Sequence, residues 1–182
     1  MKYKMNNLMK KRLKGRNILV IAKKYPLEPK LKEIIDKGVV IQDGIAVLKW
    51  RMRRPKIKKY TPDLIQLEWN FNEFPIDLFI SKKKLTREYV LQQGIAFALA
   101  LKEKLLNKHS KSKFNIILIT DEIKNSDTDI KWPAFYTVRH NEKKSTYSTA
   151  CKIGFHTVRS NARYLLNNLE EYKMNGLLVI TV

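Results

Sequence analysis

Cysteine is almost missing from this chain: Cys151 is the only one among 182 residues. Without a second thiol there can be no internal disulfide and no CxxC pair to hold a metal. That usage fits a reducing compartment, and the cytoplasm is the expected location. Long apolar runs are missing too. The longest, Gly94 to Leu101, stops at Lys102, Glu103 and Lys104, short of the roughly 18–20 residues of a membrane span. Ile18 to Ala22, behind the basic start of the chain, is too short for a signal-peptide core. Three histidines, His109, His140 and His156, are scattered along the sequence. With one cysteine they make a zinc site improbable. Paired histidines can cleave RNA without metal, one as base and one as acid, but no spacing here requires any two to meet, so structural roles are expected. No GxxxxGK[ST], GxGxxG or GxSxG occurs, which removes motif support for nucleotide-cradling loops and α/β-hydrolase chemistry.

Acidic residues are scarce in one region only. Residues 1–60 hold 19 Lys/Arg against 4 Asp/Glu, while residues 61–182 hold 18 against 13, for a net charge of +20. Crowded like charges oppose the compact state. Such a bias therefore points to a polyanionic partner, most often nucleic acid. The bias gathers in two places. One is residues 1–16, expected as a basic N-terminal arm with Lys10, Lys11, Arg12, Lys14 and Arg16, where Met5, Leu8, Met9 and Leu13 fall near helical spacing. The other is Trp50-Arg51-Met52-Arg53-Arg54-Pro55-Lys56-Ile57-Lys58-Lys59-Tyr60, whose Arg51, Arg53, Arg54, Lys56, Lys58 and Lys59 can neutralise phosphates. Trp50 and Tyr60 can stack on unpaired bases. Lys82-Lys83-Lys84 and Arg87 extend this patch if they lie near the loop.

Residues 17–182 read as a single mixed α+β domain: one mixed sheet, a long buried central helix and a C-terminal helix packed on it. Ile18–Ala22 reads as a strand and Lys30–Lys37 as a helix stopped by Gly38. Val39–Gln42 and Ile45–Trp50 flank Asp43-Gly44, a pair suited to a type I′ hairpin. Ile65, Leu67, Trp69 and Phe71 alternate with polar residues, which predicts a strand. Ile76, Leu78 and Ile80 predict a second. Thr86 caps a long helix running to about Asn107, in which Gly94 permits close packing on a strand. Phe114–Thr120 predicts an inner strand. Ala134–Arg139 and Thr146–Ile153 predict a second hairpin. Ser160 begins a final amphipathic helix, and Leu177–Val182 closes the chain as a strand.

This order of elements, with Pro62-Asp63 opening one strand and Asp77 on the next, resembles the core of the PD-(D/E)xK nucleases. The resemblance implies a metal-dependent nuclease in which Asp63 and Asp77 hold Mg²⁺, Gln92 lies nearby on the long helix and Lys82 stands in for the family lysine. The pattern departs from the family where that lysine belongs, because two residues after Asp77 the chain has Phe79. The primary expectation is therefore a non-enzymatic, nucleic-acid-binding protein without a cofactor. DNA and RNA both remain open. A third possibility is a protein-binding module, such as an immunity, antitoxin-type or inhibitor protein. It would face an acidic protein partner through exposed Trp50, Trp69 and Trp132.

Overall fold

The computed structural model describes residues 2–51, 63–121, 151–159, 168–172 and 175–182. Within them the fold is mixed α+β, as expected, with strands β1 (Lys2–Met5), β2 (Val39–Gln42), β3 (Ile45–Leu48), β4 (Phe74–Pro75), β5 (Phe114–Asp121), β6 (Cys151–Thr157) and β7 (Asn175–Thr181). The helices are α1 (Asn7–Leu13), α2 (Ile18–Lys24), α3 (Pro29–Lys37), α4 (Leu64–Asn72) and α5 (Arg87–Lys108). Five strands form one sheet in the order β1-β7-β5-β6-β4. Every pairing in it is antiparallel rather than mixed, and β2 and β3 form a separate hairpin. The Asp43-Gly44 turn has the two positive φ angles, 51° and 75°, that a type I′ turn requires.

The sheet buries both faces. Phe114, Ile116, Leu118, Ile153, Phe155, Leu178 and Ile180 enter the main core with α5 and the first three helices. Ile117, Leu177 and Val179 face the other way, against Leu169, Trp69 and Tyr172. The long helix is the buried one, capped by the Thr86 side chain, which accepts from Tyr89 N at 3.2 Å. Its Gly94 backs onto β5 and β6: a Cβ there would sit 2.8 Å from Leu118 Cδ1 and 2.9 Å from Cys151 Sγ.

Three sequence expectations change. Residues 18–22 are helical, because Asn17 caps α2 by accepting from Leu19 N at 2.8 Å. Ile18 and Ile21 then point inward while Val20 is 67% exposed. Residues 64–72 are also a helix. Asp63 accepts from the Ile65 and Gln66 amides at 2.9 and 3.2 Å and fixes its first turn. Residues 77–79 form a 3-10 turn rather than a strand. Beyond these three, residues 2–16, expected as an arm, pack into the body. β1 pairs with β7, and buried Asn6 clasps the C-terminal segment. Its Oδ1 accepts from Met9 N and Leu177 N at 3.0 and 2.9 Å, and its Nδ2 donates to Asn175 O at 2.7 Å. The first strand of the expected second hairpin and residues 160–167 of the helix expected from Ser160 lie outside the described residues; the end of that expected helix, Leu169–Glu171, is a 3-10 turn.

Helix α4 joins the hairpin to the sheet through two polar residues on its buried face. Asn72 donates to Ala46 O at 2.7 Å and Phe155 O at 3.2 Å, and accepts from Leu48 N at 3.0 Å. One turn earlier, the fully buried Glu68 carboxylate accepts from Ala46 N (2.7 Å), Thr157 N (2.7 Å) and Thr157 Oγ1 (2.8 Å). Arg159 grips the same carboxylate with both guanidinium nitrogens, at 2.7 and 3.1 Å, and also donates to Gly44 O at 2.8 Å. Burial pushes the Glu68 carboxyl up. The hydrogen bonds from Arg159, Ala46 and Thr157 outweigh it and hold the group below its ordinary value.

Two stability outcomes follow from this packing. Gly94→Ala gains roughly 1 kcal/mol of helix propensity but meets an overpacking cost of about 1–3 kcal/mol against Leu118 and Cys151. The urea midpoint is therefore expected to fall; a rise would mean that the α5–sheet contact is loose. Glu68→Ala strands Arg159 and three donors, and should cost about 3–5 kcal/mol. Because the folded-state value of Glu68 is depressed, its contribution is fully present above the ordinary glutamate value. It is lost as pH falls through the lower folded value. Thermal melts of the milder Glu68→Gln variant should lose part of the wild-type protein's acid-side slope.

Candidate functional site

Cations from three segments, Lys14 and Arg16, Lys23 and Lys24, and Lys82 to Lys84, come together where α2 ends and α5 begins. Asn17 starts α2 and Tyr25 ends it in extended conformation, so that Lys23, Lys24 and Tyr25 come out at the tip, all exposed. Opposite them, a 3-10 turn of Lys82, Lys83 and Lys84 leads into Thr86, the α5 cap. Between lies a cleft of about 440 Å³ lined by Lys24, Tyr25, Pro26, Lys84, Thr86 and Glu88, with Tyr89 and Gln92 deeper in the helix. Lys14 and Arg16 reach the same place from the end of α1.

The acids here are already engaged. Arg16 donates to Glu88 at 2.7 Å. That hydrogen bond and the Arg16 charge hold the Glu88 carboxyl below its ordinary value, and the charges of Lys24 and Lys14 add to the effect. Glu28 occupies the cap position of α3 but makes no cap hydrogen bond with its side chain. Its carboxylate instead accepts from the Tyr89 hydroxyl and from Lys84 Nζ at 2.9 Å. Those two bonds, Tyr89 first, pull the Glu28 carboxyl down despite its burial. Burial and the Glu28 charge push the Tyr89 phenol up, so it stays a donor. Buried Gln93 ties this stretch to α5, accepting from Glu28 N at 2.8 Å and donating to Pro26 O at 3.0 Å. The rings of Tyr25 and Tyr89 meet edge-on, 5.4 Å apart, and Lys24 Nζ stands 5.3 Å from the Tyr25 ring centre. The outcome is a rigid aromatic cleft with positive charge on its rim.

The residues expected from sequence are divided by the fold. Lys14 and Arg16 belong to the cleft. Lys10 and Lys11 are exposed on α1, while Arg12 is half-buried and its stem runs toward Gly176. Trp50 and Arg51 are also half-buried. The Trp50 ring packs edge-on against Phe74 and Phe79 at 5.6 and 5.4 Å, with the Arg51 guanidinium 5.2 Å from the indole centre. Trp50 thus sits beside Phe79, three residues before Lys82. Arg53, Arg54, Lys56, Lys58, Lys59 and Tyr60 lie outside the described residues, as does Trp132. Trp50 and Trp69 are not exposed anchors; Trp69 is half-buried against Gly154.

The nuclease placement does not hold for its two aspartates. Asp63 is a helix cap and Asp77 lies in a 3-10 turn, so neighbouring strands do not carry them. Phe79, at the family's lysine position, packs into the aromatic cluster with Trp50 and Phe74. Gln92 is buried and donates to Glu88 at 3.3 Å, and Lys82 is exposed on its turn. Of the histidines, His109 packs on Phe114 with a ring nitrogen 3.4 Å from Val39 O. His156 has its Nδ1 3.0 Å from Thr157 O and lines a second, more apolar cavity of about 340 Å³ with Asp63, Trp69 and Tyr172. His140 lies outside the described residues. No group of three His, Cys, Asp or Glu side chains among the described residues is placed to hold a metal, and no described helix is long and apolar enough to cross a membrane.

Sequence reasoning missed Tyr25, Lys24, Tyr89 and Glu28. The available signal was Asn17, a cap residue four positions before Ile21, which would have turned the strand into a helix and put Lys23-Lys24-Tyr25 at its exposed end.

Tyr89→Phe removes the first of the two bonds that hold Glu28 charged. A hydrogen bond to a charged group is worth about 1.5–3 kcal/mol, and the neutral-pH unfolding free energy should fall by an amount in that range. The Glu28 contribution exists above the ordinary glutamate value of 4.5 and disappears as pH falls through the lowered folded value. Melts across that window should therefore show a shallower acid limb in the variant than in the wild type. Equal limbs would mean that the bond does not anchor the cleft.

Residues 4–181 match the family model described as "Uncharacterized protein PM0498 family". No curated protein and no solved structure matches the chain.

Proposed function

The chain belongs to the PM0498 family of uncharacterized proteins, and from its own surface we propose that it is a non-enzymatic nucleic-acid-binding protein that grips the phosphate backbone. The observation that carries this reading is the convergence of Lys14, Lys24 and Lys84 on one aromatic cleft, beside the exposed Lys23, Lys82 and Lys83. The acids in contact with its lining residues are taken: Glu88 by Arg16, and Glu28 by Lys84 and Tyr89. A face whose carboxylates are satisfied internally keeps its remaining positive potential for an external anion. Regularly spaced phosphates are the ligand that uses many such cations at once. Arg53, Arg54, Lys56, Lys58 and Lys59, which follow Arg51 in the sequence, add a second cationic segment. The reading needs no cofactor, and the lone, buried Cys151 supports a cytoplasmic setting.

The test is salt dependence of binding to a duplex. Wild-type affinity is expected to fall steeply with salt. Replacing Lys14, Lys23 and Lys24 together by glutamine should lower the log–log slope by about 0.9 for each phosphate that is no longer neutralised. All three are exposed, so the melting temperature should stay near the wild-type value. Replacing Arg53, Arg54, Lys56, Lys58 and Lys59 should lower the slope separately. Unchanged affinity and slope in both variants would refute the reading. So would protein whose ratio of 260 nm to 280 nm absorbance is the same after low-salt purification as after nuclease treatment, together with no salt-sensitive binding to any nucleic acid.

A further inference from the structure

We propose that the cleft between α2 and α5 receives an unpaired base, so that the preferred ligand is single-stranded nucleic acid; this rests on the phosphate-binding reading above. Phosphate contacts alone need only cations, yet this cleft is built around two tyrosines. Tyr25 is 40% exposed although its ring is large and apolar, and it stands on the rim instead of in the core. An exposed ring next to cations is a stacking platform that accepts any base, because every base has a π-face. The cleft's volume of about 440 Å³ lies within the roughly 300–1,000 Å³ of small-molecule sites. That suits one nucleotide. A duplex keeps its bases stacked inside, and can offer this cleft only its backbone unless a base is flipped out at a cost.

The platform is fixed before any ligand arrives. Pro26 and Glu28, which follow Tyr25, are tied to α5 through Gln93 at 3.0 and 2.8 Å. Tyr89, the ring that meets Tyr25 edge-on, is pinned by its hydroxyl to Glu28. Little ordering is left to oppose binding, which is the benefit of a preorganised site. Thr86 and Gln92 line the cleft with groups that both donate and accept, matching the polar edge of a base. Lys24 on one side and the exposed Lys82 and Lys83 of the 3-10 turn on the other carry charge for the flanking phosphates.

The experiment compares fluorescence anisotropy of full-length protein with a thymidine homopolymer, a uridine homopolymer, a duplex of equal length and inorganic polyphosphate. The wild type is expected to bind one or both homopolymers about 5–150-fold more tightly than the duplex at the same salt, the worth of one stacked base. Tyr25→Ala should abolish that margin and leave duplex and polyphosphate binding, and their salt slopes, unchanged. Tyr25→Phe should restore it. Because Tyr25 is on the rim, an unchanged melting temperature should accompany each variant. Equal binding of homopolymers and duplex by the wild type, or a margin that survives Tyr25→Ala, overturns this inference while leaving the phosphate-binding reading intact. Absence of salt-sensitive binding to all four probes overturns both.

Discussion

A single buried carboxylate connects three stretches of chain that have no ladder between them. Glu68 sits on α4 but satisfies a backbone amide of the β2–β3 hairpin, a backbone amide and hydroxyl of β6, and the guanidinium of Arg159. The hairpin does not pair with the five-stranded sheet, so its inner strand would otherwise leave buried amides unpaired. Such orphans cost about 1–3 kcal/mol each. Glu68 and Asn72 supply the missing partners from a helix, and Arg159 closes the arrangement by reaching the hairpin turn at Gly44. The charge is tolerated in the interior because all its oxygens' neighbours are donors and the guanidinium pairs with both oxygens.

This device also explains which parts of the fold could be read in the sequence. For several elements buried through apolar residues the pattern was sufficient, although Ile18 and Ile21 of α2 were read as part of a strand. The Asp43-Gly44 hairpin, α3 with its Leu31, Ile34 and Ile35 stripe, the long helix from Thr86, and the inner strand from Phe114 all lie where hydrophobic spacing and cap residues put them. Where burial is polar, the pattern misled. In residues 64–72 the inward positions are Ile65, Glu68 and Asn72, a helical spacing of three and four. Two of those three are polar, so the apolar residues that remain visible, Leu67, Trp69 and Phe71, mimic a strand's alternation. Hydrophobicity cannot reveal a face whose purpose is to supply hydrogen bonds.

The cleft was half legible for a related reason. The charge excess and the contributions of Lys14 and Arg16 follow from composition, since the surplus of cations needs no folding to be seen. Tyr25 and Tyr89 do not, because their meaning depends on two segments 64 residues apart in sequence coming within 5.4 Å. Glu28 was concealed most of all. Its place before Pro29 marks it as a helix cap, yet its side chain is given to Tyr89 and Lys84. One local role was exchanged for a long-range one.

Anchoring the basic segment has a consequence for recognition. A flexible arm gains affinity from charge but loses ordering entropy when it settles on a ligand. Here Asn6 locks α1 and β1 to β7 and to the Tyr172 and Asn175 carbonyls, and α1 buries Met9 and Leu13 in the core. Lys10, Lys11 and Lys14 are therefore carried on a fixed scaffold. Lys14 itself ends α1 in the left-handed region, at φ 50°, and turns the chain so that Arg16 reaches Glu88. Fixed cations have a fixed spacing. Under the proposed phosphate-binding role, they would favour ligands whose charges repeat at a compatible distance over a diffuse acidic surface. The same clasp reinforces the β1–β7 pairing, so that one asparagine links the basic helix α1 to the sheet.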